Sequence, residues 1–255
     1  MSTESAPILQ ARALTRHFAG LCAVDAVSLD LTVGVLHALI GTNGAGKSTF
    51  INMLSGELQP SSGTVLFEGQ DIGRWPQARR ARAGIGRSYQ RTTIFPEFTV
   101  LENCRLCTQG ALQQPWMVFA SAKACATSLA AAREAIEATG LTAVAERIAA
   151  TLSHGQKRQL EIAMCLAVRP RVLLLDEPLA GMGAQESETM LVLLDRLKPG
   201  HAVLLVEHDM DAVFRIADRI TVMVNGAVIA SGTPQDIRAN AAVQTAYLGD
   251  AMQDA

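Results

Sequence analysis

The sequence has no strong excess of charge of either sign and no long hydrophobic run. Its 22 lysine and arginine residues nearly balance 24 aspartate and glutamate residues, for a formal net charge of −2. Nucleic-acid-binding domains usually show a clear basic excess, so the composition argues against DNA or RNA as a partner. No apolar run reaches the roughly 18 residues that a membrane-spanning helix needs. Any role at a membrane would therefore depend on a partner protein.

A secretion signal and a disulfide framework are also missing. The first ten residues, MSTESAPILQ, lack the basic and apolar regions of a signal peptide, so we expect a cytosolic protein. The five cysteines fit free thiols in a reducing compartment. Cys104 and Cys107 form a single CxxC pair with no second pair or histidine cluster nearby. We interpret them as two thiols one turn apart on a helix rather than as metal ligands.

Apolar residues, in contrast, are plentiful and occur in short continuous runs. They make up 49 % of the 255 residues, enough for a substantial core in one large domain or in a core with an insert. Short apolar runs bounded by polar residues are typical of strands buried on both faces of a parallel sheet. The runs are VLHALI (35–40), VLLL (172–175) and AVLLV (202–206). Residues suited to chemistry follow each of them, at the strand ends where ligands of open α/β sheets gather.

Other segments complete an α/β pattern. Residues 27–33, VSLDLTV, alternate apolar and polar residues as a half-buried strand does. ITVMV-NG-AVIA predicts a hairpin, because Asn225 and Gly226 tolerate the positive φ of a type I′ turn. Between about residues 91 and 165 the chain is alanine-rich with helical spacing. We therefore expect a mostly helical insert in a mostly parallel α/β fold.

Residues 41–48, GTNGAGKS, match the phosphate-loop pattern G-x-x-x-x-G-K-[ST] between a buried strand and a helical pattern. Glycines let the backbone N–H groups close around phosphate oxygens, Lys47 reaches the β- and γ-phosphates, and Ser48 can bind Mg²⁺. The loop predicts a nucleoside triphosphate as ligand. It does not predict the reaction, because GTPases, kinases, helicases and transport motors share it.

Two carboxylates follow the second apolar run. Asp176 can hold the shell of a magnesium ion, as the second acidic motif of P-loop proteins does. Glu177 is a candidate general base for an attacking water. The alternative is a pair of strand-end carboxylates without a role, which the phosphate loop upstream disfavours.

Two further polar side chains follow strand-like runs. His208, in VEHD, ends a neighbouring strand, where contact with a γ-phosphate or with the attacking water is geometrically plausible. A lone histidine at such a place is more often structural. Gln90, in GIGRSYQR, could reach a metal or a water through its amide, but by itself this signal is weak.

The segment TLSHGQKRQLEIA (151–163) predicts a helix start that suits an anion. Ser153 is a favourable N-cap residue, and Leu160, Ala163, Met164 and Ala167 follow with helical spacing. The free N–H groups and positive dipole end of such a helix attract negative charge. The phosphate loop lies far upstream, so the residues alone leave open whose phosphate would bind here.

In this order the elements resemble the ATP-binding subunits of ABC transporters, over nearly the whole chain. The resemblance rests on Phe18, GTNGAGKST, Gln90, LSHGQ, VLLLDEP and His208. It implies a P-loop NTPase (RecA-like) α/β core with a mostly parallel sheet, an antiparallel β subdomain and an inserted helical subdomain. It further implies a single ABC ATPase domain over 1–255, with the core in 1–90 and 166–255 and the helical subdomain in 91–165.

The resemblance also implies ATP and Mg²⁺ as cofactors and a role for each motif residue. Phe18 would stack on adenine, and the signature of one subunit would cap the γ-phosphate held by the phosphate loop of a second ATPase subunit. The ATP-binding residues would be Phe18, Gly41, Thr42, Asn43, Gly44, Ala45, Gly46, Lys47, Ser48, Thr49, Ser153, Gly155 and Gln156. The catalytic residues would be Lys47, Gln90, Glu177 and His208, and the metal ligands Ser48, Gln90 and Asp176.

Two positions depart from the family pattern. His154 stands where glycine is common, and we expect it to be tolerated because Ser153 and Gly155 remain. Gly183 stands where many relatives carry an aspartate, in a loop that normally communicates between the two ATP sites. Hydrolysis is still expected, because Glu177 and His208 are both present.

The resemblance extends to a type of transporter. The segment from Gln90 to Glu102 matches the region that contacts permease subunits, and Ile94, Phe95 and Phe98 either form an exposed apolar patch or pack the helical subdomain. The stretches GTPQDIRANAAVQTAYLGD and EHDM resemble the ATPases of Liv-type importers for branched-chain amino acids. LSHGQK and AGM also resemble urea and amide importers of the same group. Such importers imply a periplasmic binding protein, a homo- or heterodimer of ATPases, and a place on the cytoplasmic face of the inner membrane.

Functions from other classes fit less well. A regulatory GTPase needs an N-K-x-D motif, which is absent. A chromosome-maintenance ATPase would separate Lys47 from Asp176 by a long coiled coil, and no sustained heptads occur there. A translation factor of the ABC group would carry two cassettes, and a non-enzymatic binding module would not need Glu177 and His208.

Overall fold

The computed structural model describes residues 6–89, 93–112 and 126–251. These residues form two β-sheets and a set of helices. The strands are β1 (Leu9–Phe18), β2 (Leu21–Leu31), β3 (Leu36–Gly41), β4 (Ser62–Phe67), β5 (Gln70–Asp71), β6 (Ile85–Arg87), β7 (Val172–Asp176), β8 (Ala202–Val206), β9 (Arg219–Val224) and β10 (Ala227–Gly232). The helices are α1 (Lys47–Ser55), α2 (Gln77–Ala83), α3 (Val100–Leu112), α4 (Ala126–Ala138), α5 (His154–Ala167), α6 (Ala184–Leu197), α7 (Met210–Ile216), α8 (Pro234–Ala239) and α9 (Ala241–Ala251).

The larger sheet carries the three apolar runs. Its strand order is β10-β9-β3-β8-β7-β6, and all neighbours except β10 and β9 are parallel. Every residue of β3, β7 and β8 is buried, as expected for strands covered on both faces. Parallel pairing brings their carboxyl ends to one edge of the sheet. The residues after Gly41, Asp176 and Val206 therefore meet at that edge.

The smaller sheet is antiparallel, with the order β2-β1-β4-β5. Its apolar face packs with α1 and with one face of the larger sheet, in a core that includes Leu14, Val24, Phe50 and Met53. The other face of the larger sheet packs against α5 and α6 and, beyond them, α3 and α4. The expected combination of a mostly parallel sheet, an antiparallel subdomain and an inserted helical subdomain is confirmed.

The hairpin predicted at residues 220–230 is confirmed as β9 and β10. Asn225 and Gly226 have φ angles of 48° and 83°, as a type I′ turn requires. The Gly226 N–H donates to the Ala45 carbonyl at 3.1 Å. The hairpin turn is thereby fixed to the phosphate loop.

Cys104 and Cys107 lie one turn apart on α3, as predicted. Burial raises the pKa of the Cys104 thiol well above its usual range and that of Cys107 to about 11. Both therefore remain protonated near neutral pH. No group of three or more histidine, cysteine or acidic residues that could hold a metal occurs in the described ranges. In the same ranges no helix is both long and apolar enough to span a bilayer.

Candidate functional site

The phosphate loop connects β3 to α1 at the sheet edge. A Cβ atom at Gly41 would come within 2.1 Å of the Met223 carbonyl oxygen, and one at Gly46 within 2.2 Å of the Ala23 carbonyl oxygen. Side chains at these positions would push the loop away from the strands that hold it. The two glycines thus allow the loop to lie tightly against β2 and β9.

The Lys47 ammonium lies over this loop. Its Nζ donates to the carbonyl oxygens of Gly41 at 2.6 Å and Thr42 at 2.9 Å. Burial lowers the pKa of Lys47, while the nearby Glu177 and Asp176 carboxylates act in the opposite direction. A cation held by carbonyl oxygens can exchange them for phosphate oxygens, which are stronger acceptors.

A cavity of about 690 Å³ opens beside the loop, a size that suits a nucleotide. Its lining includes all the loop residues from Asn43 to Thr49, Glu177 and the hairpin turn at Asn225. Phe18 lies at its rim with 43 % of its surface exposed, and the Arg16 guanidinium covers its ring at 4.7 Å. The exposed aromatic side chain offers a flat surface to a ligand in the cavity.

Asp176, at the end of β7, is 3 % exposed. Its Oδ2 lies 3.8 Å from the Arg87 guanidinium, and its Oδ1 is buried without a hydrogen-bond partner in the described chain. Burial raises the pKa of Asp176, and the Arg87 charge opposes this shift. An unpartnered buried carboxylate oxygen is costly unless a cation or water satisfies it. The donor chemistry of the Asp176 carboxylate therefore fits a hard cation such as magnesium.

Arg87 was not anticipated from the sequence. Its guanidinium donates to Ser55 Oγ at 2.6 Å, to Glu57 Oε2 at 2.8 Å and to Asn52 Oδ1. Arg87 therefore connects the end of α1 to Asp176. The surrounding sequence, RSYQ, did not indicate this role of Arg87, because its partners lie on a distant segment of the chain.

Glu177 adopts a strained backbone conformation, with φ at +50°. Such strain is concentrated at functional sites, where the surrounding structure enforces it. The Glu177 N–H donates to the Val206 carbonyl at 2.9 Å, and its Oε1 lies 3.9 Å from His208 Nδ1. The two strand ends thus place the His208 imidazole near the Glu177 carboxylate, and Glu177 lines the cavity.

Glu207 is a second residue that sequence reasoning missed. It is fully buried, and its carboxylate accepts from the Leu179 N–H at 2.8 Å and the His208 N–H at 3.2 Å. Burial raises its pKa. Glu207 fixes the chain after Glu177 to the strand end that carries His208. The sequence feature that could have pointed to Glu207 is its position in VEHD, directly before His208.

The signature segment begins α5 as predicted. Ser153 is the N-cap residue: its Oγ accepts from the Gln156 N–H at 3.2 Å, and its own N–H donates to Gln156 Oε1 at 3.1 Å. Ser153, Gly155 and Gln156 line a cavity of about 220 Å³ together with Glu186, and no phosphate-loop residue lines it. Within one chain the two anion-suited elements are therefore apart. Gln90 lies outside the described residues.

The apolar segment before α3 is partly exposed. Phe95 and Phe98 are 49 % and 41 % exposed, and their ring centroids lie 5.6 Å apart. Ile94 instead packs against the core. Asn103, fully buried, donates to the Phe95 carbonyl at 3.0 Å and accepts from its N–H at 2.7 Å. Two of the three candidate residues thus form a surface patch on a firmly held loop.

Comparisons with known proteins agree with this geometry. Residues 24–180 match the family model described as ABC transporter, and residues 227–252 match the one described as branched-chain amino acid ATP-binding cassette transporter. The chain is 39 % identical to the high-affinity branched-chain amino acid transport ATP-binding protein BraF of Pseudomonas aeruginosa, over 97 % of its length and 100 % of that protein. It is also 39 % identical to LivG of Escherichia coli K12, a protein of the same description, with the same coverage.

Solved structures show the same fold. A crystal structure of the ADP conformation of an ATP-binding cassette superposes with a TM-score of 0.85 and 29 % identity, over 96 % of this chain and 100 % of that chain. A nucleotide-free cassette gives the same TM-score and identity over 94 % and 98 %. The predicted P-loop NTPase fold is confirmed. The chain belongs to the ABC transporter family, as an ATP-binding and ATP-hydrolysing cassette.

Proposed function

We propose that the chain powers an importer for branched-chain or other hydrophobic amino acids. The match of residues 227–252 to the branched-chain cassette model carries this proposal, and the names of BraF and LivG support it. An importer of urea or amides is the alternative, and the sequences of the LSHGQK and AGM motifs favour it. Substrate choice lies with the membrane and binding proteins, so this chain's chemistry is compatible with both.

Phe18 and the phosphate loop bind ATP in this proposal. The exposed Phe18 ring stacks on adenine, and the N–H groups of the loop from Gly41 to Thr49 surround the phosphates. Lys47 leaves the carbonyl oxygens of Gly41 and Thr42 and contacts the β- and γ-phosphates. The cavity beside the loop supports this arrangement, since both Phe18 and the loop line it.

Ser48 and Asp176 hold Mg²⁺, with Gln90 as a further ligand on the family pattern. The unpartnered buried Oδ1 of Asp176 supports the assignment. When bound, the ion neutralises charge on the β- and γ-phosphates. Arg87 favours the ionised form of the Asp176 carboxylate, because its guanidinium lies 3.8 Å from the opposite oxygen, Oδ2.

Glu177 accepts a proton from the water that attacks the γ-phosphorus, as the bond from that phosphorus to ADP breaks. His208 orients this water or the γ-phosphate. Glu177 is suited to the role because its side chain lines the cavity and its Oε1 lies 3.9 Å from His208 Nδ1. Glu207 serves as a positioning residue, since it holds both strand ends together.

Two cassettes form the working unit, either two copies of this chain or this chain and a second ATPase. Ser153, Gly155 and Gln156 then contact the γ-phosphate bound by the partner's phosphate loop. Their separation from the phosphate loop within one chain supports an arrangement between subunits. Closure of the pair excludes water other than the reacting one and completes the charge-stabilising shell.

The helical subdomain, residues 91–165, joins the ATPase core (1–90 and 166–255) to the membrane subunits. Phe95 and Phe98 supply an exposed apolar contact for a permease within the segment from Gln90 to Glu102. The complex lies at the cytoplasmic face of the inner membrane and receives its substrate from a periplasmic binding protein. ATP binding and hydrolysis move the permease between its inward and outward states.

Uptake assays test the transport function. In a strain that lacks this chain, we expect its wild-type gene to restore uptake of radiolabelled leucine. The Glu188→Gln variant, altered at an exposed carboxylate paired with Arg215, should restore it equally. Glu177→Gln should not. Restored uptake of urea or acetamide without leucine would reject the amino-acid importer and favour the alternative.

A further inference from the structure

The carboxylate of Glu186 occupies the N-terminus of the signature helix. Its Oε1 accepts from Ser153 Oγ at 3.2 Å and from the Gly155 N–H at 3.1 Å. A Cβ atom at Gly155 would lie 2.7 Å from the same Oε1, so only glycine lets the carboxylate approach this closely. An anionic side chain of this chain therefore already fills the anion-suited position of α5.

Both donors are fully engaged by this contact. The Ser153 hydroxyl has one hydrogen, which it donates to Glu186, and its oxygen accepts from the Gln156 N–H. Gly155 has a single N–H, which Glu186 also receives. These two donors are the ones assigned above to the partner's γ-phosphate. Neither can contact a phosphate oxygen until Glu186 leaves.

The local structure explains why a carboxylate lies there. Glu186 is in the first turn of α6, whose N-cap residue, Gly183, supplies no side-chain hydrogen bond. The positive ends of α5 and α6 both favour a negative charge, and charge-assisted hydrogen bonds make the contact stronger than a neutral one. Glu186 is therefore stable at this position while no stronger anion competes.

His154 connects the same region to the loop before α6. Its Nε2 donates to the Ala180 carbonyl at 3.1 Å, and its ring packs against Gly181. That loop begins at Glu177, directly after β7, and Glu207 holds it through the Leu179 N–H. A displacement of Glu186 and the first turn of α6 would thus also shift the segment that carries the proposed base, Glu177.

We propose that Glu186 is a resident anion that occupies the signature donors of the separate subunit and is displaced by the γ-phosphate of the partner's nucleotide on closure. The inference rests on the proposed role of Ser153 and Gly155. Glu186 opposes closure in two ways: its hydrogen bonds must break, and its charge then lies close to the incoming phosphate. It is a positioning residue, and it sets how strongly the γ-phosphate must bind before the pair closes.

Dimerisation of a hydrolysis-deficient protein tests this role. In a Glu177→Gln background, sedimentation would give the dimer dissociation constant in saturating Mg²⁺-ATP with and without the further change Glu186→Gln. The glutamine keeps the size and the acceptor oxygen but removes the charge. We expect the dimer to become at least about tenfold tighter, because each of its two sites loses a charged competitor. Binding of a fluorescent ATP analogue to the monomer should not change.

Glu188→Gln in the same background is the matched control, since it removes an equal charge from the same helix without touching the signature. An unchanged or weaker dimer with Glu186→Gln would overturn the inference, and thermal unfolding would show that the variant is folded. A parent Glu177→Gln protein that forms no ATP-dependent dimer would instead reject a composite site between two copies of this chain, and the inference with it. The two failures are therefore distinguishable.

Discussion

Glu177→Gln is expected to lower ATP turnover at least about a hundredfold, the usual contribution of a general base. Glutamine keeps the shape of the side chain but cannot accept the proton of the attacking water. The phosphate loop and Phe18 are untouched, so ATP binding should persist. Because hydrolysis reopens the pair in this account, the variant should accumulate as an ATP-bound dimer.

Steady-state phosphate release and size-exclusion chromatography with Mg²⁺-ATP measure these two effects. Glu188→Gln serves as the control and should match the wild type in both, because Glu188 lies on the surface of α6 and pairs with Arg215. Turnover of Glu177→Gln at the wild-type rate would show that the carboxylate is not the base.

Arg80→Met is expected to destabilise the fold by about 3 kcal/mol, the range for breaking a buried charged network. The Arg80 side chain is fully buried, and its guanidinium donates to backbone carbonyl oxygens. It donates to Met53 and Leu54 at 2.8 Å, to Gly73 at 3.0 Å and to Trp75 at 3.1 Å. Methionine fills much of the space but leaves these acceptors without donors. Burial lowers the pKa of Arg80 to about 10. Removal of this buried charge offsets part of the loss.

Urea unfolding followed by circular dichroism gives the free energy of unfolding for this comparison. Arg82→Met on the same helix is the control: its side chain is exposed, so we expect a change below about 0.5 kcal/mol. Met53 and Leu54 lie in the last turn of α1, the helix that begins at Lys47. Arg80→Met should therefore also weaken ATP binding at urea concentrations near its lowered unfolding midpoint. Equal stability of the two variants would mean that the network contributes nothing net.

The sequence predicted those parts of the site that depend on neighbouring residues. GTNGAGKS, DEP and the Asn225–Gly226 turn each specify a local conformation, and parallel pairing of the apolar strands then brings the motifs together. Ser153 as N-cap is likewise a local property, and the structure confirms it. Local pattern and strand burial together account for the phosphate loop, the strand-end carboxylates and the hairpin turn.

Contacts across long stretches of chain could not be predicted in this way. Glu186 lies 33 residues from Ser153, and Arg87 lies 35 from Asn52, so no spacing rule connects them. Glu207 is an acidic residue that is buried only because two strand ends and a loop converge on it. For His154, the sequence suggested tolerance, and the structure adds a contact with the Ala180 carbonyl that a glycine could not make.

Complementation between two inactive variants tests the composite site most directly. Lys47→Ala disables a subunit's phosphate loop, and Ser153→Ala disables its signature, so each homodimer should hydrolyse little ATP. Mixed in equal amounts, they should recover about a quarter of wild-type activity if sites act independently, because about half of random pairs are mixed and each has one intact site. The double variant Lys47→Ala/Ser153→Ala mixed with wild type should form inactive mixed pairs. No recovery in the first mixture, with active mixed pairs in the second, would place each signature at its own subunit's phosphate loop and contradict the account.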